Sequence, residues 1–232
     1  MPIKYPLLIV FQFQFLFTLA QQDPIPLPPP RQELHAPSLI LPAALTLYGF
    51  AALKLRPLQS FDHDIRRWVW LDHPHGQIAL DDYLQYAPGA AVYVLNFLGV
   101  KGRNNFRDRT ILYALSNIMM GAAVLSLKRI VYAPRPDGSG NDGFPSGHVA
   151  TAFVAAEFLR QEFKDRSPWY GVAGYTTAIL TGFLRVYNDK HWFSELTTGA
   201  GIGILSTWLS YQLYPCLQQK WCRRHHPATP LP

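Results

Sequence analysis

The residues of this chain whose types and spacing could do chemistry lie between Lys128 and Glu195. Lys128 is followed after six residues by Arg135-Pro136, then comes Pro145-Ser146-Gly147-His148, then Arg185 with His191 six positions on and Glu195 four beyond that. Three permanent cations brought together attract a multiply charged anion. Arginine matches phosphate oxygens two at a time, and lysine adds a point charge. Ser146 suits a helix N-cap and Gly147 lets the backbone come close to a ligand, so the free N–H groups of the helix start could bind the same anion. His191 and Glu195 are neighbours if their stretch is helical. A carboxylate on one ring nitrogen fixes the tautomer and leaves the other nitrogen as a nucleophile. Taken singly, these residues have plain readings: a snorkelling cation, a capped helix, a surface ion pair.

All three groups sit at the ends of apolar segments, and charge beside hydrocarbon is costly enough to need a reason. The chain has 232 residues, of which 49% are hydrophobic and only 16% charged, against roughly 25% charged in soluble domains. Apolar runs cover 84–100, 110–127, 148–163, 168–184 and 194–214. The net charge of +6 is not one stripe, as a nucleic-acid surface would need. It collects at 101–109, 160–166 and 220–224, each just outside an apolar run, which is the cytoplasmic signature of a polytopic membrane protein. With those loops inside, all three groups fall on the outer face. The expected fold is all-α, a polytopic membrane bundle of about six transmembrane helices. Gly121-Ala122-Ala123 and Gly199-Ala200-Gly201-Ile202-Gly203 are expected at close helix contacts.

Residues 1–20, with Lys4 ahead of an apolar run, read as a signal peptide or an N-terminal anchor. Residues 21–37 hold six prolines and read as a linker. The membrane domain that carries the three groups is expected to span 38–214, with 215–232 a basic tail. If 1–20 is a signal sequence, 38–53 is interfacial or re-entrant; if 38–53 spans, residues 1–37 stay in the cytoplasm. Phe61, Ile65, Trp68 and Trp70 mark an amphipathic helix at the headgroup level. Asp62, His63, Asp64, His73 and His75 have no clear ligand spacing, and Cys216 and Cys222 read as free thiols, so no metal or cofactor is expected.

The ordered set Lys128-x6-Arg135-Pro136, Pro145-Ser146-Gly147-His148 and Arg185-x5-His191-x3-Glu195 resembles the three signature motifs of the type 2 phosphatidic acid phosphatase (PAP2) superfamily. The first two match fully. The third departs at Leu184, where the family usually has Ser, and at Glu195, where Asp is usual. The resemblance covers roughly 84–214 and implies a metal-independent phosphatase working through a phosphohistidine. It makes His191 the nucleophile, Glu195 its orienting acid and His148 the proton donor. It gives Lys128, Arg135, Ser146, Gly147 and Arg185 to the phosphate. The implied substrate is a lipid phosphate monoester or pyrophosphate: lipid A phosphate, first among these, undecaprenyl pyrophosphate, phosphatidylglycerol phosphate or phosphatidic acid. The implied place is a bacterial inner membrane with the site facing the periplasm. Rival readings are a vanadium-dependent haloperoxidase-like enzyme and a weakly catalytic relative that binds or moves phospholipid.

Overall fold

A computed structural model describes residues 37–73 and 75–225. The readings of 1–20 and of nearly all of 21–37 fall outside the described residues. Helix α1 runs Pro37–Ala52 and α2 Arg56–Arg66, which widens into a π turn over Arg67–Leu71. Then come α3 Asp81–Leu84, α4 Ala87–Phe97 and α5 Phe106–Ile130. The last three are α6 Gly147–Phe163, α7 Trp169–Tyr187 and α8 Phe193–His225. Among the described residues there is no strand beyond an isolated bridge between Ala133 and Asp142, so the all-α expectation holds. The apolar run expected over 84–100 begins instead as two pieces. Pro88 opens α4 in its first turn, where a missing N–H costs nothing.

Helix α8 is the axis. It packs against α1, α5 and α6, and α6 is covered on its other side by α7. Close approach is made by glycine. A Cβ on Gly203 would lie 2.5 Å from the Ala150 carbonyl of α6, and one on Gly201 2.5 Å from the Pro42 carbonyl of α1. Residues 199–203 thus behave as expected. Gly121 does not: nothing lies within 4 Å of the position its Cβ would take. Hydroxyls join the helices where glycines do not, as in the 2.6 Å bond between buried Ser116 of α5 and Ser210 of α8.

One helix among the described residues, Phe106–Ile130, is long and apolar enough to cross a membrane. Leu39–Ala52 and Arg56–Leu71 qualify only as one pair, bent by 95°. That is fewer than the six or so spans expected. The physical reason is composition. Helix α6 has 17 residues and buries Glu157, Gln161 and Glu162, while α8 carries Ser, Thr and Gly through its packed middle.

The basic loops meet at one end of the bundle. Arg103 N donates to the Glu162 carbonyl at 2.9 Å, and Arg166 Nε to the Lys101 carbonyl at 3.2 Å. Beneath them Arg109 and Glu162 form a fully buried pair at 3.0 Å, with Tyr211 of α8 donating to the same carboxylate at 2.6 Å. Removing one member of such a pair strands a buried charge, at about 3–5 kcal/mol. Glu162→Gln is therefore expected to lower the thermal unfolding midpoint sharply. Lys190→Gln, which breaks the partly exposed Lys190–Asp137 pair at the surface, should cost less, about 1 kcal/mol. Parallel thermal melts of the two purified variants check the difference.

Candidate functional site

The site lies at the opposite end, where α5 and α7 stop and α6 and α8 start. Lys128 is in the last turn of α5 and Arg185 in the last turn of α7. His148 is in the first turn of α6, and Glu195 in the first turn of α8.

Between α5 and α6 the chain folds back on itself. Arg135 N donates to the Gly140 carbonyl at 2.9 Å, and Gly143 N to the Ala133 carbonyl at 2.9 Å. Gly138 takes the turn with φ of 72°, a conformation open to glycine at no steric cost. The fold-back sets Arg135 against Asp142, with Nε–Oδ1 at 3.0 Å and Nη2–Oδ2 at 3.2 Å. Lys128 Nζ donates to the Asp142 carbonyl. Arg135 thus already holds a planar oxyanion in the two-pronged manner that suits phosphate, with Lys128 Nζ 3.9 Å from the same carboxylate.

Between α7 and α8 the turn is enforced by charge. Asp189 has φ of 57°, an uncommon conformation for a residue with a side chain. Arg66 grips its carboxylate with bonds of 2.7 and 2.8 Å. Asn188 is held from outside the motifs, accepting from Ile78 N at 2.8 Å and donating to Asp81 at 3.1 Å. The turn delivers His191 into the bundle, where it is 3% exposed. Its Nδ1 bonds Glu195 Oε2 at 2.8 Å. The same oxygen accepts from Trp192 N at 3.2 Å. His191 lies two residues before α8 rather than within a helix, yet Nδ1 meets the carboxylate, and Nε2 is left as the ring's other nitrogen.

Ser146 occupies the N-cap position of α6, and its carbonyl accepts from Ala150 N at 3.0 Å. Its hydroxyl does not cap, contrary to the expectation from sequence. Instead Ser146 Oγ is buried without a protein partner, and so is Arg185 Nε. Buried donors of this kind are costly unless a ligand meets them. A Cβ on Gly147 would touch nothing nearer than Val124 at 4.0 Å. Packing therefore does not demand glycine there, and the backbone is open to a close ligand.

Several partners were not legible in the motifs. Arg185 Nη1 donates to Asp81 at 2.6 Å, and His148 Nε2 bonds Asp82 at 2.9 Å. Asp62 of α2 holds the start of α8, accepting from Ser194 N at 3.0 Å and from its hydroxyl at 2.5 Å. Asp62 is thus a cap for α8. His63 packs edge-on against Trp192 with ring centroids 4.7 Å apart. His75 stacks on Tyr187 at 3.6 Å. That group of acids and histidines does not converge. Among the described residues the sole set with metal-ligand proximity is Asp81, Asp82 and His148; Asp81 already serves Arg185, and Asp82 and His148 serve each other.

Burial, first, holds His191 well below the ordinary histidine value of 6.5, and the charges of Arg185, Arg135, Lys128 and His148 push the same way. The three motifs therefore act on one ring. A base so depressed stays unprotonated well into acid. Titration of the purified, 15N-histidine-labelled protein should place the His191 midpoint below pH 6.5. Arg135→Gln, which removes one of the opposing cations, should move it upward.

Comparison with known proteins bears on this arrangement. The model of the PAP2 superfamily matches residues 109–218. A lipid A 1-phosphatase of Porphyromonas gingivalis is 40% identical over 153 residues, which are 66% of this chain and 34% of that protein. A lipid A 4'-phosphatase of Bacteroides thetaiotaomicron is 32% identical over 103 residues, 44% of this chain and 43% of that one. The chain thus spans about a third and under a half of these two relatives. In structure it is similar to a transmembrane PAP2-type phosphatidylglycerolphosphate phosphatase of Bacillus subtilis. The TM-score is 0.53 with 23% identity, over 78% of this chain and 96% of that one.

Proposed function

We propose that the protein is a PAP2-type integral membrane lipid phosphatase acting through a phosphohistidine, a reading supported by the match of residues 109–218 to the PAP2 superfamily model. The observation that carries the reading is the buried His191, oriented by Glu195 at 2.8 Å and facing the charges of Lys128 and Arg185 from two helix ends and of Arg135 from the fold-back between α5 and α6. Phosphoryl transfer asks mainly for positioning and for charge to meet the equatorial oxygens. Lys128, Arg135 and Arg185 supply that charge. Ser146 Oγ and Arg185 Nε, buried and unpartnered, supply further donors, and Gly147 supplies backbone N–H.

His191 Nε2 attacks phosphorus as the bond to the lipid oxygen breaks. His148 gives its proton to that oxygen, and Asp82 at 2.9 Å balances the charge of the protonated ring. Water then attacks the phosphohistidine, its proton passes to His148, and inorganic phosphate leaves. No step needs a metal.

The substrate class is a lipid-linked phosphate. Lipid A phosphate is favoured by the names of the two relatives, ahead of undecaprenyl pyrophosphate, phosphatidylglycerol phosphate and phosphatidic acid. The basic loops at the far end of the bundle support a cytoplasmic placement for that end and a periplasmic one for the site. Phosphate release from detergent micelles of each lipid is expected in a buffer containing chelator. His191→Ala should reduce it by about 10^4-fold or more. Loss of all release on adding the chelator would remove the metal-free mechanism.

A further inference from the structure

The third motif ends in glutamate, and a glutamate carboxylate stands one methylene further from its backbone than an aspartate's. The extra length has to be accommodated where the side chain is 2% exposed. The space is found at Gly143. A Cβ there would lie 2.4 Å from Glu195 Oε1 and 3.0 Å from both Oε2 and Cδ. The first is closer than a Cβ comes to another atom, and the others are tighter than nearly all Cβ contacts.

Neither partner is free to give way. Gly143 N is tied to the Ala133 carbonyl at 2.9 Å, and Ser146 N, three residues on, donates to the Glu195 carbonyl at 3.1 Å. The carboxylate is pinned by His191 Nδ1 at 2.8 Å and Trp192 N at 3.2 Å, so moving it from a Cβ means moving it from the histidine. Nor does conformation explain the glycine. The positive-φ glycines among the described residues are Gly99 and Gly138, so the backbone at 143 is one that alanine adopts. What alanine lacks there is room.

We infer that Gly143 is a positioning residue for the nucleophile: its missing side chain is the slot that lets Glu195 orient His191. Gly143, immediately before Phe144-Pro145-Ser146, and Glu195 then form one unit across the second and third motifs. A shorter acid at 195 would relieve the need for glycine at 143. The inference rests on the phosphatase reading for its consequence in rate, though not for the contact itself.

The test is a double-mutant cycle of Gly143→Ala and Glu195→Asp. It is read by phosphate release from the lipid the unaltered protein cleaves fastest, and by the downfield Nδ1 proton resonance of His191. Gly143→Ala alone is expected to lower kcat/KM by about a hundredfold, the scale of a misplacement near 1 Å, and to abolish the resonance. In the Glu195→Asp background the same change should cost less than about threefold, with the resonance retained. A merely structural role for Gly143 would make it equally harmful in both backgrounds. That outcome, or unaltered rate and resonance in Gly143→Ala, overturns the inference. Absence of lipid cleavage by the unaltered protein would remove the functional reading, while the resonance still decides the Gly143–Glu195 contact.

Discussion

A histidine can attack phosphorus only with its lone pair free and aimed. The 2.8 Å bond from His191 Nδ1 to Glu195 Oε2 sets the aim. Burial and the surrounding cations keep the ring neutral. The two requirements pull in opposite directions elsewhere in the chain. The carboxylate must be buried with the ring, and the cations must be close without pairing to that carboxylate. The rest of the structure can be understood as what this arrangement requires. Asp62 and Ser194 fix the start of the helix that carries Glu195. Arg66 and Asp189 fix the turn that carries His191. Gly143 leaves room between them.

The cations raise a second constraint. Three permanent positive charges, two at helix ends and one in the fold-back between α5 and α6, repel one another when no anion is bound. Each is met by a carboxylate of the chain: Arg185 by Asp81, Arg135 and Lys128 by Asp142. These acids come from outside the motif positions, and the Arg135–Asp142 contact has the bidentate form of an arginine on an oxyanion. Asp142 is half-exposed, whereas Asp81 is buried and further tied to Asn188. A phosphate entering from the open side would therefore meet Asp142 as the competitor for Arg135 and Lys128. Asp81 would remain as the fixed support of Arg185.

Most of the site was legible in the sequence because its residues sit at short, fixed spacings where helices begin and end. Lys128, His148, Arg185 and Glu195 fall in the terminal turns that the apolar runs led one to expect. What could not be read were partners separated by long stretches of chain: Asp62 and Ser194 are 132 residues apart, Arg185 and Asp81 are 104 apart. No local pattern marks such pairs. The apolar runs matched the helices better than they matched membrane spans. Buried Glu157, Glu162 and Arg109 lower the hydropathy of segments that are nonetheless deep in the bundle, and a Cβ at Gly121, expected at a close contact, would meet nothing within 4 Å. The exchange of glutamate for aspartate at 195 was visible from sequence, but its accommodation at Gly143 needed three dimensions.

The most direct measurement of the proposed chemistry is to find the phosphorus in mid-reaction. Protein mixed with lipid phosphate labelled with 32P, quenched in alkali within the first turnover and digested, should carry the label on Nε2 of His191, and more of it in His148→Asn, where hydrolysis of the intermediate is slowed. Label on another residue, or product formed with no labelled protein at any quench time, would contradict a phosphohistidine at His191.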